Sequence, residues 1–288
     1  METMYGTTAP DVERWSPRVV VVRGLNPGPF TGPGTNTCLI GSGPRPILLD
    51  TGSGVEGYLP LLEGALRSEC DTDAPGDVVL THVHPDHIGG AADVVKRFGP
   101  RKVSKKPWPG RDEQFAVELT PIEDGALIKT DGATLRAIYT PGHASDHLCF
   151  YLEEERSLFT GDLILGIGTT VIPLEGGDMR LYLESLERLL DLELERIYPG
   201  HGPAIDAPYE KIREYIAHRR EREEQVVSAI ESGAQTVERM VEHIYVDTPR
   251  VLYPAAGQSV LSHLIKLEQE QRAERANDAS GEEYWALC

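Results

Sequence analysis

The sequence predicts an α/β protein in two parts: a strand-rich domain over residues 1–208 and a helical domain over residues 209–288. Three observations predict it. Short apolar, strand-like runs alternate with amphipathic helical stretches through the first part. Polar residues beside glycine recur where those runs end: Asp50-Thr51-Gly52, Gly142-His143, Gly161-Asp162 and Gly200-His201-Gly202, with His82 closing a fifth run. After Pro208 the texture changes to charged helical periodicity.

Taken in order, Arg18 to Arg23 is a β-branched run and reads as a strand. Asn26 to Gly34 is a Gly/Pro-rich loop leading to a strand at Cys38-Leu39-Ile40. Pro46 to Asp50 is a third strand. Tyr58 to Arg67 reads as a helix with Leu59, Leu61, Leu62 and Leu66 on its apolar side. Val78-Val79-Leu80 ends a buried strand, and Ala91 to Phe98 reads as an amphipathic helix. Gly99 to Thr120 reads as a loop with a short strand. Asp124-Gly125 and Asp131-Gly132 flank Leu127-Ile128 as in a hairpin. Strands follow at Leu135 to Thr140, Leu148 to Leu152 and Leu158-Phe159, then a helix over Asp178 to Leu190 and a short strand at Arg196-Ile197-Tyr198. Beyond Pro208, helices are expected over Tyr209 to Ser232, Thr236 to Tyr245 (Thr236 as a candidate cap) and Ser259 to Arg272, followed by a polar tail. That set resembles a small helical or winged-helix module.

The chain has 288 residues, 26% charged and 40% hydrophobic, and a net charge of −18. Such a balance opposes broad attraction to nucleic acid or an anionic membrane surface. Cys38, Cys70, Cys149 and Cys288 are far apart and form no C-x-x-C pair. Cys38 and Cys149 lie in apolar runs and read as small buried hydrophobes, so a reducing, intracellular compartment is expected. Met1 to Trp15 is polar, with Glu2, Asp11 and Glu13, and has no signal-peptide core. No apolar run is long enough to span a membrane.

The richest stretch is Thr81-His82-Val83-His84-Pro85-Asp86-His87, at a strand-to-helix turn. Imidazole and carboxylate together suit zinc and similar borderline cations. His82 and His84, two apart on an extended segment, point to one side, whereas Asp86 and His87 lie beyond Pro85 and can aim at a neighbouring position. With His143 the first pair can make a three-histidine site. Asp86, His87 and His201 can make a second, and Asp162 can bridge the two. Paired cations about 3.5–4 Å apart hold a bridging water whose pKa falls towards neutrality, and that hydroxide is the expected nucleophile. Asp86 is read as both ligand and proton acceptor.

His82-Val83-His84-Pro85-Asp86-His87 resembles the H-x-H-x-D-H signature of the metallo-β-lactamase superfamily, and His143, Asp162 and His201 match its later ligand motifs in order. The resemblance covers Arg18 to about Pro208. It implies a four-layer αβ/βα sandwich with two metals at one edge, carrying a C-terminal winged-helix-like domain. It implies two Zn²⁺, with Mn²⁺ or Fe²⁺ as alternatives, and gives Asp50 a role supporting the ligands. Within the superfamily the chain is similar to the β-lactamase-like protein 2 group through Leu25-Asn26-Pro27-Gly28-Pro29, Gly34-Thr35-Asn36-Thr37, Tyr139 to His143, Asp146-His147 and Tyr198 to Pro203. That similarity implies an endoribonuclease acting on single-stranded RNA, or alternatively a thioesterase or other carboxylic-ester hydrolase of the glyoxalase II or polyketide-releasing type. It also admits the mitochondrial matrix beside the cytoplasm. Two departures, Gly32-Pro33-Gly34 and Cys38 in place of a tyrosine, are expected near the site mouth.

Other candidates carry two readings each. His147 either supports or contacts the reacting groups, or makes a structural hydrogen bond. Asn36 either polarises a substrate oxygen or holds the Gly-rich loop by backbone bonds. Thr169-Thr170 either lines the site or packs. The run Arg101-Lys102 with Lys105-Lys106 reads as a solvated loop before it reads as a phosphate contact. His218, His243 and His263 read as surface or packing residues. The mixed charges from Glu210 to Glu224 read as an exposed, salt-bridged helix.

Overall fold

The computed structural model describes residues 8–277, 281 and 283–288. The first residues of the polar stretch expected over Met1 to Trp15, Glu2 among them, lie outside the described residues, as does part of the expected polar tail. The elements are β1 (Val12–Ser16), β2 (Val19–Arg23), β3 (Asn36–Ile40), β4 (Ile47–Leu49), α1 (Tyr58–Cys70), β5 (Val78–Val79), α2 (Pro85–Ile88), α3 (Ala91–Phe98), β6 (Val103–Lys105) and β7 (Leu119–Pro121). They continue with β8 (Leu127–Thr130), β9 (Ala133–Tyr139), β10 (Leu148–Leu152), β11 (Ser157–Gly161), α4 (Met179–Leu189), β12 (Arg196–Pro199), α5 (Pro208–Glu231), α6 (Val237–Ile244), α7 (Tyr253–Gln269), β13 (Ala273–Asn277) and β14 (Glu283–Leu287). The chain forms two compact units. One takes the chain up to Thr140, Asp146–Thr170 and Leu192–Tyr209; the other takes Pro141–Ser145, Val171–Asp191 and the chain from Glu210.

The first unit is built on two sheets. One runs β1 to β7 in sequence order, antiparallel through β4 and parallel from β4 to β7; the other is ordered β12-β11-β10-β9-β8. The period of two decides what each strand residue meets. Val19 and Val21 enter the core between the sheets with Phe150, Phe159 and Leu135. Val20 and Val22 face the other way, onto Leu62 and Leu66 of α1 and Val94 of α3. The second sheet is also buried on both faces, since Cys149, Leu158 and Ile197 are as inaccessible as the inward Phe150 and Phe159. This is the interior of the αβ/βα sandwich. Cys38 lies in the inter-sheet core and not at a site mouth, because its place on β3 turns its side chain inward.

In the second unit α5, α6, α7 and the β13–β14 hairpin surround Val226, Met240, Val260, Leu264 and Trp285. Thr236 caps α6, its hydroxyl accepting from the Arg239 N–H. The hairpin was not readable from periodicity, since Ala273–Asn277 shows a single buried residue. The α5 charges are not simply solvated. Arg219 is buried over the Tyr182 ring, and Glu223 is buried against Lys266 and Arg272 at 2.7 and 2.5 Å. Interleaved charges on a helix expose only some of its faces, and packing claims the rest. His263 is buried and His243 exposed, as expected of packing and surface residues.

Candidate metal centre

The polar residues gather where strands end. Pro85 stands at the first position of the single turn α2, where its missing N–H costs nothing, and the turn presents Asp86 and His87. His82 and His84 sit on the irregular segment between β5 and α2, and the expected strand ends earlier. They nevertheless converge: Nε2 of His82 lies 2.9 Å from Nδ1 of His84. Asp162 follows β11, His201 follows β12, and His143 rides on the connection between β9 and β10.

Two groups of donors result. His82 and His84 form one, and Asp86, His87, Asp162 and His201, whose donor atoms lie within 4.8 Å of one another, form the other. In the second group Nε2 of His201 lies 3.1 Å from Asp86 and 3.2 Å from Asp162, while Nε2 of His87 lies 3.4 and 3.2 Å from the same carboxylates. A tetrahedron of ligands at about 2.1 Å from a cation has edges of about 3.4 Å. The separations are those of ligands around one point. Neither Nε2 makes a well-formed hydrogen bond although both rings are buried, a costly state that a cation relieves. The residues therefore fit metal ions.

Electrostatics agree. Burial pushes the His201 imidazole down, but Asp162 and Asp86 overcome it and hold it up at about 9. Burial likewise opposes charge on His87, and Asp86, Asp162 and Asp50 raise it well above its ordinary value. Burial pushes Asp86 and Asp162 up; the facing imidazoles reverse that and hold both carboxylates low. The centre thus draws positive charge.

Supporting contacts fix the ligands. Asp50 accepts from the N–H of Thr81 at 2.8 Å and from its hydroxyl, and faces Nδ1 of His87 at 2.7 Å. This is the support expected of it. Nδ1 of His143 lies 2.7 Å from the Val171 carbonyl, which only accepts, so Nδ1 holds the proton. Thr170 donates to the Asp162 carbonyl at 2.7 Å. Gly200 has no room for a side chain, because an added Cβ would stand 2.8 Å from the Asp162 carboxylate.

Asn36 differs from both expectations. Its amide nitrogen donates to the carbonyls of Pro199 and Gly202, each at 2.8 Å. Both N–H groups are spent on the His201 turn, so none is left to polarise a substrate oxygen. The Gly-rich loop is held instead by Asn26, whose side chain bonds the backbone and hydroxyl of Thr35 and the hydroxyl of Ser53. His147 is fully buried, with Nδ1 2.9 Å from the Thr140 hydroxyl and Nε2 accepting from the Asp162 N–H at 3.2 Å. Thr81 and Thr140 carry no periodic signal in the sequence; adjacency to His82 and to Pro141-Gly142-His143 is their one pointer.

In the basic run Arg101 and Lys102 are exposed, as a solvated loop requires, and the correction is at Lys105. Lys105 is buried, its ammonium 2.6 Å from Asp146 and 2.7 Å from Asp112. Arg101 pairs with Asp77 at 3.0 Å and Lys106 with Glu123 at 3.1 Å. Every residue of β6 is buried, so Lys105 is held in the interior although β7 beside it is an exposed edge strand.

Comparison with known proteins places these features. Residues 30–201 match the Metallo-beta-lactamase superfamily, and residues 236–285 match the Beta-lactamase associated winged helix domain. The chain is 40% identical over 260 residues to the Beta-lactamase-like protein 2 homolog of Caenorhabditis elegans, covering 89% of this chain and 86% of that protein. It is 38% identical over 245 residues to the Atrochrysone carboxyl ACP thioesterase of Claviceps purpurea, covering 82% and 74%. The crystal structure of a Beta-lactamase domain protein from Burkholderia ambifaria superposes with a TM-score of 0.83 over 100% of this chain and 97% of that one, at 21% identity.

Proposed function

This chain belongs to the metallo-beta-lactamase superfamily, and from that we propose that it hydrolyses a carboxylic thioester or ester with two divalent cations, zinc by preference. The observation that carries the reading is the convergence of the buried, unsatisfied Nε2 atoms of His87 and His201 on Asp86 and Asp162. The mixed imidazole and carboxylate set suits zinc. His82, His84 and His143 would hold one cation; Asp86, His87, Asp162 and His201 would hold the other. When bound, such cations supply Lewis acidity towards the scissile group and lower the pKa of water.

The chain's own residues do the rest. Asp86 is the more open of the two carboxylates, 24% exposed against 13% for Asp162. It is ionised and faces solvent, so it is placed to take a proton from water and return it to the leaving group. Asp50 and Thr81 orient the imidazoles, and Asn36 holds the His201 turn.

A thioester is favoured over RNA because a polyanion needs cations to meet its phosphates. Here Arg101, Lys105 and Lys106 are paired internally, and the net charge is −18. The name of the Claviceps purpurea relative supports the same choice. Cleavage of single-stranded RNA is the second reading and rests on resemblance to the β-lactamase-like protein 2 group.

The test is a parallel assay of metal-replete protein on a small acyl thioester, single-stranded RNA and a β-lactam. Thioester hydrolysis that chelator abolishes and Asp86→Ala nearly abolishes is expected. RNA cleavage with the thioester untouched would overturn the substrate. Undiminished turnover after complete metal removal would overturn the mechanism.

A further inference from the structure

The ring of His147 is wired in one direction. The Asp162 peptide N–H donates to its Nε2 at 3.2 Å. A peptide N–H can only donate, so Nε2 bears no proton. The proton is therefore on Nδ1, which donates to the Thr140 hydroxyl at 2.9 Å. That hydroxyl donates onward to Sγ of Cys149 at 3.3 Å, and the Cys149 thiol points to the Thr160 carbonyl at 3.8 Å. Thr140, His147, Cys149 and Thr160 are all fully buried. The chain of donors leaves Asp162 and returns two residues before it. It ties together the ends of β9, β10 and β11 within one compact unit.

Gly161 gives a second, independent sign that the ring has a reserved place. It has a left-handed backbone, φ +46°, and an added Cβ would stand 2.8 Å from Nε2 of His147. Only glycine lets the imidazole edge come up to the Asp162 peptide.

We propose that His147 is a positioning residue for Asp162, held as the Nδ1–H tautomer by Thr140 and Cys149. Its ring sets the Asp162 peptide and, through it, the direction of the carboxylate towards the cations. The ring does not exchange protons with substrate, because it is sealed from solvent and both nitrogens are engaged. The inference rests on the metal-centre reading but not on any substrate.

Two measurements test it. The first is nitrogen NMR of histidine-labelled, metal-free protein. The expected His147 spectrum has a protonated Nδ1 and a bare Nε2; the opposite tautomer overturns the proposal. The second is calorimetric zinc titration of the wild type, His147→Phe, His147→Gln and Thr140→Val. His147→Phe keeps the ring volume and loses both bonds, so affinity for one cation is expected to fall about ten- to a hundred-fold. His147→Gln restores an acceptor in reach of the Asp162 N–H and is expected to recover part of that loss. Thr140→Val removes the acceptor of the Nδ1 proton and the donor to Cys149; it is expected to keep the fold, mix the tautomers and weaken the same cation. A role in stability alone would lower the melting temperature and leave zinc affinity of the folded variants at the wild-type level, and that result overturns the proposal. If the wild type binds cations but cleaves no thioester, the substrate reading fails and this one stands. If it binds none, both fail.

Discussion

Nδ1 of His87 lies 2.7 Å from Oδ2 of Asp50, with the two side chains 0% and 2% exposed. Asp50 itself has a left-handed backbone, φ 60°, unusual for a residue with a side chain. The turn after β4 thereby puts a carboxylate under the ligand histidine and fixes which ring nitrogen faces the centre. Asp50→Ala is expected to weaken the cation held by His87 about ten- to a hundred-fold while His82, His84 and His143 still bind theirs. Zinc stoichiometry and affinity by calorimetry check this. An unchanged second affinity would show that the ring is oriented by packing alone.

Metal uptake should release protons. His201 is held up at about 9 by Asp162 and Asp86 in the cation-free centre, so it is protonated near neutrality and a cation must displace that proton. Apparent affinity is expected to rise with pH and level off above about 9. The sign for stability runs the other way. A folded-state pKa raised above the unfolded value stabilises fully below about 6.5 and is lost as pH rises through about 9. Cation-free protein should therefore lose stability over that interval. Titration in buffers of different ionisation enthalpy measures the protons, and a pH-independent affinity would contradict the assignment.

Lys105→Met should be severe for a residue so far from the described ligands in sequence. It leaves the carboxylates of Asp146 and Asp112 facing one another in the interior without their cation. Burial alone already pushes the Asp146 carboxyl up. Breaking a buried pair from one side costs about 3–5 kcal/mol. Urea unfolding would read the loss, and a cost below about 1 kcal/mol would mean that water reaches the pair.

Glu223 predicts an acid-sensitive C-terminal unit. Burial pushes its carboxyl up, but His263, Lys266 and Arg272 outweigh that and bring it to about 2. A depressed carboxylate stabilises above its unfolded value and loses that contribution as pH falls, here between about 4.5 and about 2. Glu223→Gln is expected to lower stability at neutral pH by up to ~3 kcal/mol and to flatten the acid limb of the stability curve. Denaturant midpoints across that range test it; an unchanged acid limb would place the acid sensitivity in other groups.

Much of the metal centre was legible because its signals are local. His82, His84, Asp86 and His87 lie within six residues of chain, and glycine stands beside Asp162 and His201. Strands β2, β3 and β10 and helices α1, α3 and α4 followed their periodicity. Strand β1 did not, because Val12–Ser16 is an edge strand with a single buried residue, and its polar composition hides its pairing with β2. The roles of Asn36 and Lys105 were not legible either. Asn36 bonds carbonyls 163 and 166 positions away, and Lys105 meets a carboxylate 41 positions away.

The sequence by itself determined which donors exist, their order, and the glycines that let backbone come close to them. These follow from residue chemistry and from the step of two or 3.6 along the chain. Tertiary structure alone decided what each buried polar group would face. Lys105 became half of an internal ion pair, Asn36 a clamp on the His201 turn, and His147 a prop under the Asp162 peptide. The reason is physical. A buried charge or N–H must find a partner or incur a desolvation cost of several kcal/mol, and which partner is within about 3 Å depends on how the sheets pack, not on distance along the chain.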